Sequence, residues 1–115
     1  MVILVVEDDR LINLMASDEL QAAGYAVISA YNADEAIAIL QNRADVKFVF
    51  TDIDMDGSMD GLKLASFVRG RWPPIEIIVT SGKRLPRTLP ERVVFVPKPY
   101  RAEHVLQTIA GFAVF

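Results

Sequence analysis

Val46-Lys47-Phe48-Val49-Phe50-Thr51 runs straight into Asp52-Ile53-Asp54-Met55-Asp56-Gly57. Apart from Lys47 and Thr51 the first six residues are apolar, and all but Lys47 are β-favouring, so they predict a strand buried in a sheet. A carboxylate at the C-terminal end of such a strand stands where open α/β sheets bind ligands and do chemistry. Three further runs repeat the pattern. Val2-Ile3-Leu4-Val5-Val6 ends in Glu7-Asp8-Asp9, Ile75-Glu76-Ile77-Ile78-Val79 in Thr80-Ser81, and Val93-Val94-Phe95-Val96 in Pro97-Lys98-Pro99. Four strands thus bring carboxylates, hydroxyl and ammonium to one edge of one sheet. That donor set suits a divalent cation and a phosphoryl group.

Helical periods lie between the strands. Leu11, Leu14, Met15, Leu20 and Ala23 recur at roughly helical spacing over residues 10–23, and Gly24 is placed to stop that helix. Residues 25–30 read as a strand. Asn32 caps a helix over 33–42, with Glu35 as capping-box partner and Ala36, Ile37 and Leu40 as its apolar stripe. A third helix spans 60–70, carrying Leu62, Leu64, Ala65 and Val68, and a last one 101–113. Strands alternating with helices imply an α/β fold: a parallel sheet, doubly wound, with helices on both faces. Between the last two strands the alternation fails. Residues 82–92 carry Pro86 and Pro90 and few apolar side chains, and proline inside a helix costs about 3 kcal/mol. A fourth helix there is expected to be short or missing.

With 115 residues, 52% of them apolar, the chain is expected to form one domain, 1–115, with its own core. No apolar stretch approaches the ~20 residues of a membrane span, and no basic n-region marks a secretory signal. The absence of cysteine excludes disulfides, thiolate catalysis and zinc-thiolate sites, and fits a cytoplasmic location. A net charge of −3 without a dense basic run argues against direct nucleic-acid binding.

An acidic pair after the first strand, an Asp after the central one, a hydroxyl after the fourth and Lys-Pro after the fifth, in that order, resemble the receiver domain of two-component response regulators. The resemblance covers essentially the whole chain. It implies a flavodoxin-like five-stranded sheet of order 2-1-3-4-5. It also implies Asp52 as phosphoacceptor, with Thr80 and Lys98 contacting the phosphoryl group. Glu7, Asp8, Asp52 and the backbone carbonyl of Asp54 would hold Mg²⁺, or Mn²⁺ in its place. Thr80 and Phe95 match the family's switch pair, and Lys98-Pro99 its cis peptide. The chain would be a phosphoacceptor switch rather than an enzyme, catalysing only its own phosphorylation and dephosphorylation. Its partners would be a sensor histidine kinase or a histidine phosphotransfer protein, and a downstream protein target reached through the surface of residues 82–101. It would be stand-alone, or one receiver excised from a larger protein, and a monomer or weak dimer.

Two departures stand out. The chain has Met55-Asp56 where the family often has Met-Pro, and the run to Met59-Asp60-Gly61 is one residue longer than the commonest form. The proline-bearing 83–92 segment puts the usual dimer face in question. Rival readings exist. Asp52-x-Asp54 also matches the nucleophile motif of haloacid dehalogenase-like phosphatases, with Asp54 as general acid. Residues 52–57 match the start of an EF-hand loop, but its twelfth position is Lys63 instead of Glu. In an unadorned flavodoxin-like domain, Asp8 and Asp9 would only cap a helix. His104 is assigned no phosphotransfer role, and Trp72 is expected to cover a helix–strand connection. Arg69, Arg71, Arg84, Arg87, Arg92 and Arg101 are expected to be solvated, or part of a partner-facing patch over 84–101.

Overall fold

All five predicted strands enter one parallel sheet, in the order β2-β1-β3-β4-β5. The computed structural model describes residues 2–83 and 86–112. The strands are β1 (Val2–Val6), β2 (Ala26–Ala30), β3 (Val46–Asp52), β4 (Glu76–Ser81) and β5 (Val93–Pro97). The helices are α1 (Arg10–Ala22), α2 (Ala33–Asn42), α3 (Gly61–Arg71) and α4 (Ala102–Phe112). Ala113, the last residue of the helix expected from the sequence, lies outside the described residues, as do Arg84 and Leu85.

Side chains alternate across the pleat into two cores. Leu4, Val6, Val49, Ile77 and Val79 face α2 and α3 with Leu40, Leu64 and Val68. Ile3, Val5, Phe48, Phe50 and Ile78 face α1 and α4 with Leu20, Val105 and Ile109. Burial on both faces explains why these strands read as nearly unbroken apolar runs. One bulge adjusts the register: Val2 pairs with Val46 but Ile3 with Phe48, so Lys47 is the extra residue. Without it Val46 and Phe48 would share a face, yet they enter opposite cores.

Helix α1 departs from the sequence expectation. Its buried face is Asn13, Ala16, Ser17 and Leu20, spaced i, i+3, i+4, i+7. Leu11, Leu14 and Met15 are instead 66%, 56% and 55% exposed, and Ala23 is exposed too. Apolar residues lie on several sides of this helix, and the small and polar stripe is the one that fits against β1 and β2. The buried polar atoms are satisfied. Asn13 Nδ2 donates to the carbonyls of Glu7 (3.1 Å) and Ala30 (3.0 Å), and Ser17 Oγ donates to Asn13 Oδ1 (3.2 Å). Asn13 thereby ties together the C-terminal ends of β1 and β2, where the site begins.

The other helix signals hold. Gly24 has φ 101° just after α1, the left-handed stop that glycine favours. Asn32 accepts from Glu35 N at 2.8 Å, although the Glu35 carboxylate returns to Tyr31 N (2.9 Å) rather than to Asn32.

Among the described residues no helix separates β4 from β5. The chain there is pinned by arginines that the sequence suggested were solvated. The Arg69 guanidinium donates to the carbonyls of Pro73, Ile75, Glu91 and Arg92, and Arg92, at φ 56°, donates to Pro73 O. With no intrahelical partners, the carbonyls of Glu91 and Arg92 need donors, and a five-donor guanidinium supplies them. Beside this clamp Trp72 packs at the strand-entry end of the sheet, 6.0 Å from the Phe67 ring. No helix among the described residues is long and apolar enough to cross a membrane.

Candidate functional site

Register brings the strand-end residues together. Val6 pairs with Thr51, Asp52 with Thr80, and Thr80 with Val96. The residues that follow these pairs therefore share the C-terminal edge of the sheet. Glu7 and Asp52 are each 5% exposed, whereas Asp8 is exposed. Carboxylate oxygens of Glu7, Asp8 and Asp52 all lie within 4.8 Å of one another. Lys98 Nζ donates to Glu7 Oε1 (3.2 Å) and Asp52 Oδ2 (3.0 Å), and Asp54 N donates to Asp52 Oδ1 (3.1 Å).

Capping does not account for this cluster. The α1 cap is Asp9, which accepts from Leu11 N (3.0 Å) and Ile12 N (3.1 Å). Glu7 and Asp8 are left to face Asp52. Nor does an EF-hand fit, because Asp52 ends a strand and Lys63 N is bonded to the α3 cap Asp60. The loop from Asp52 to α3 is drawn tight under the site. Gly61 N donates to Ile53 O at 2.9 Å, and a Cβ on Gly61 would collide with the Asp52 carbonyl.

Electrostatics follow from burial. Glu7 is raised from 4.5 to about 7, chiefly by desolvation and also by the Asp52 charge, with the Asp9 N–H and Lys98 opposing. Burial pulls Lys98 down, but its hydrogen bond to Asp52 and the Asp52 and Glu7 charges outweigh this and raise it. Because Glu7 binds its proton more tightly folded than unfolded, its contribution to stability is full below about 4.5 and is lost as pH rises through about 7. At 1.36 kcal/mol per pH unit the loss is about 3 kcal/mol. Metal-free protein should accordingly unfold at lower urea at pH 8 than at pH 5, and millimolar Mg²⁺ should erase most of that difference. An equal urea midpoint at both pH values in EDTA would refute the Glu7 assignment.

The donor set, hard oxygens only and short of positive charge, fits Mg²⁺. A further observation concerns Thr80, whose Oγ1 is buried and finds no hydrogen-bond partner among the described residues. Phe95 pairs with Val79 and is half-buried against the α2–α3 core, and the Lys98-Pro99 peptide is cis. His104 is exposed on α4. Sequence reasoning gave Ser81 no role. It is 2% exposed and donates to Asp54 Oδ2 at 2.5 Å.

Residues 3–110 match the family model described as the response regulator receiver domain. Among curated proteins, the chain is 27% identical to the response regulator protein FleR of Pseudomonas aeruginosa over 97% of its length, and 31% identical to the sensor kinase CckA of Brucella abortus over 93%. It spans 24% of the first and 12% of the second. Solved structures are similar throughout. The receiver domain of the hybrid histidine kinase CckA superposes with a TM-score of 0.83 at 28% identity, covering 96% of this chain and 97% of that one. TrrA of Thermotoga maritima, solved with Mg²⁺ and BeF, gives 0.84 at 25% identity, covering 96% of each.

Proposed function

The chain belongs to the response regulator receiver family, a family of phosphoacceptor switches, and on that footing we propose that Asp52 is the acceptor. The observation that carries the reading is the buried Thr80 hydroxyl, without a hydrogen-bond partner among the described residues, beside a carboxylate already held by Lys98. A hydroxyl with no acceptor costs free energy in the resting protein and gains one when a phosphoryl oxygen arrives.

In the transfer, an Asp52 oxygen attacks phosphorus in line with the donor nitrogen. The O–P bond forms as the N–P bond breaks, and the bonding pair stays on the imidazole, which takes up a proton. Lys98 faces the growing negative charge, and Thr80 Oγ1 donates to a phosphoryl oxygen. Asp54 N orients the nucleophile through Oδ1. Glu7, Asp8, Asp52 and the Asp54 carbonyl would hold Mg²⁺, with Mn²⁺ as a substitute; bound there, the cation supplies positive charge to the phosphoryl oxygens. Motion of Thr80 toward the phosphoryl group frees space for Phe95, and so couples the site to residues 82–101.

We take residues 1–115 as one receiver unit, acting in the cytoplasm as a monomer or weak dimer. A sensor histidine kinase or phosphotransfer protein would supply the phosphoryl group, and a protein target would read the result. Intact mass after incubation with Mg²⁺ and acetyl phosphate tests the assignment. One added phosphoryl group, ~80 Da of HPO₃, is expected on the wild type and none on Asp52→Ala. An equal adduct on both would move the acceptor elsewhere, and steady phosphate release without adduct would favour the dehalogenase-type phosphatase.

A further inference from the structure

Ser81, Asp54 and Lys83 form a bridge that the transfer chemistry does not use. Ser81 Oγ donates to Asp54 Oδ2 at 2.5 Å and accepts from Lys83 N at 3.0 Å, and Lys83 Nζ lies 3.6 Å from Asp54 Oδ1. The bridge joins the loop after β3 to the segment after β4, across the mouth of the site. Its buried member is Ser81, at 2% exposure; the Lys83 side chain is 80% exposed and its ion pair contributes little. Asp54 is also in contact with Asp52, through its own amide.

Resting on the assignment of Asp52 as acceptor, we propose that Asp54 is a built-in competitor of the phosphoryl group, and that Ser81 is the donor they compete for. In the resting state the Asp54 carboxylate holds the Ser81 hydroxyl and, through it, the start of the 82–92 segment. A phosphoryl group on Asp52 brings a charge near −2 beside Asp54. Like charges at this separation repel, and the phosphoryl oxygens are the stronger acceptors. Asp54 sits on an exposed loop and turns out to solvent, and Ser81 passes to the phosphoryl group. The exchange converts modification of one strand end into release of the Asp54 side chain and a new anchorage for residues 82–83. The same exchange makes phosphorylation slower than it would be with Ser81 free.

A kinetic cycle separates this exchange from simple charge repulsion. Rates of Asp52 modification by acetyl phosphate with Mg²⁺ would be measured by intact mass for wild type, Asp54→Asn, Ser81→Ala and the double variant. Removing the Asp54 charge should speed modification about 10-fold when Ser81 is present, but only about 2-fold in the Ser81→Ala background. Equal gains in the two backgrounds, or no gain, would overturn the competition. A measurement on the unmutated chain guards against a variant that folds poorly. Amide exchange at Lys83, whose N–H is held by Ser81 Oγ, should quicken about 10-fold on phosphorylation as that hydroxyl turns to the phosphoryl group, and unchanged exchange would overturn the proposal. No adduct on the wild type would instead strike at Asp52 as acceptor, a distinct outcome.

Discussion

Lys98→Met is expected to slow phosphoryl uptake from acetyl phosphate by about 10²–10³-fold, the usual cost of losing one preorganised group that meets developing charge. Lys98 Nζ is within 3.2 Å of Glu7 Oε1 and 3.0 Å of Asp52 Oδ2, and its side chain is 24% exposed. The ammonium therefore acts in a partly dry site, where a fixed charge is worth more than in water. Affinity for Mg²⁺ should move the other way. Lys98 competes with a cation for the same two carboxylates, so its removal should tighten Mg²⁺ binding several-fold, read by calorimetry. Slow uptake with tighter metal binding cannot come from a misfolded protein, which would lose both. Uptake within about 3-fold of wild type would remove Lys98 from the chemistry.

Two glycines of α3 should respond oppositely to the same substitution. A Cβ on Gly61 meets the Asp52 carbonyl and Ile53 Cα, which are backbone and have no rotamer to change. Overpacking of this kind costs about 3 kcal/mol, offset by up to about 1 kcal/mol of helix propensity, so Gly61→Ala should destabilise by about 2 kcal/mol. Since the collision is with the main chain of Asp52, the proposed acceptor, phosphorylation should slow as well. Among the described residues Gly70 has nothing within 4 Å of its Cβ position, and Gly70→Ala should stabilise by about 1 kcal/mol with unchanged phosphorylation. Urea unfolding decides both. A Gly61→Ala protein as stable and as reactive as the wild type would mean that α3 does not press on Asp52.

The sheet and most of the candidate site were legible because each signal was local. Burial on two faces makes β1, β3 and β4 mostly apolar runs, and a chemistry-bearing residue stands at or just past the end of each. Glu7, Asp8, Asp52, Thr80 and Lys98 needed only that rule and their order. Features set by the partner surface were not legible. The phase of α1 is one, since Leu11, Ile12, Leu14 and Met15 offer a stronger stripe than Asn13, Ala16, Ser17 and Leu20, and only the surface of β1 and β2 selects between them. Arg69 is another: its partners are main-chain carbonyls up to 23 positions away, and carbonyls leave no trace in side-chain type. Ser81 needed the pairing of Asp52 with Thr80, which places the residue after Thr80 beside the loop after Asp52.

Trp72 is the sole tryptophan, and it lies at the strand-entry end of the sheet between Phe67 and the Arg71 guanidinium. Asp52, the proposed acceptor, is at the other end. Intrinsic fluorescence of this protein is therefore a clean gauge of whether the chain is folded and a poor one of what Asp52 carries. Titrations of metal or phosphodonor followed by emission would show little, however tight the binding. A signal for the switched state has to be placed by design near residues 82–83, where a single introduced cysteine, in a chain that has none, would carry a dye without ambiguity.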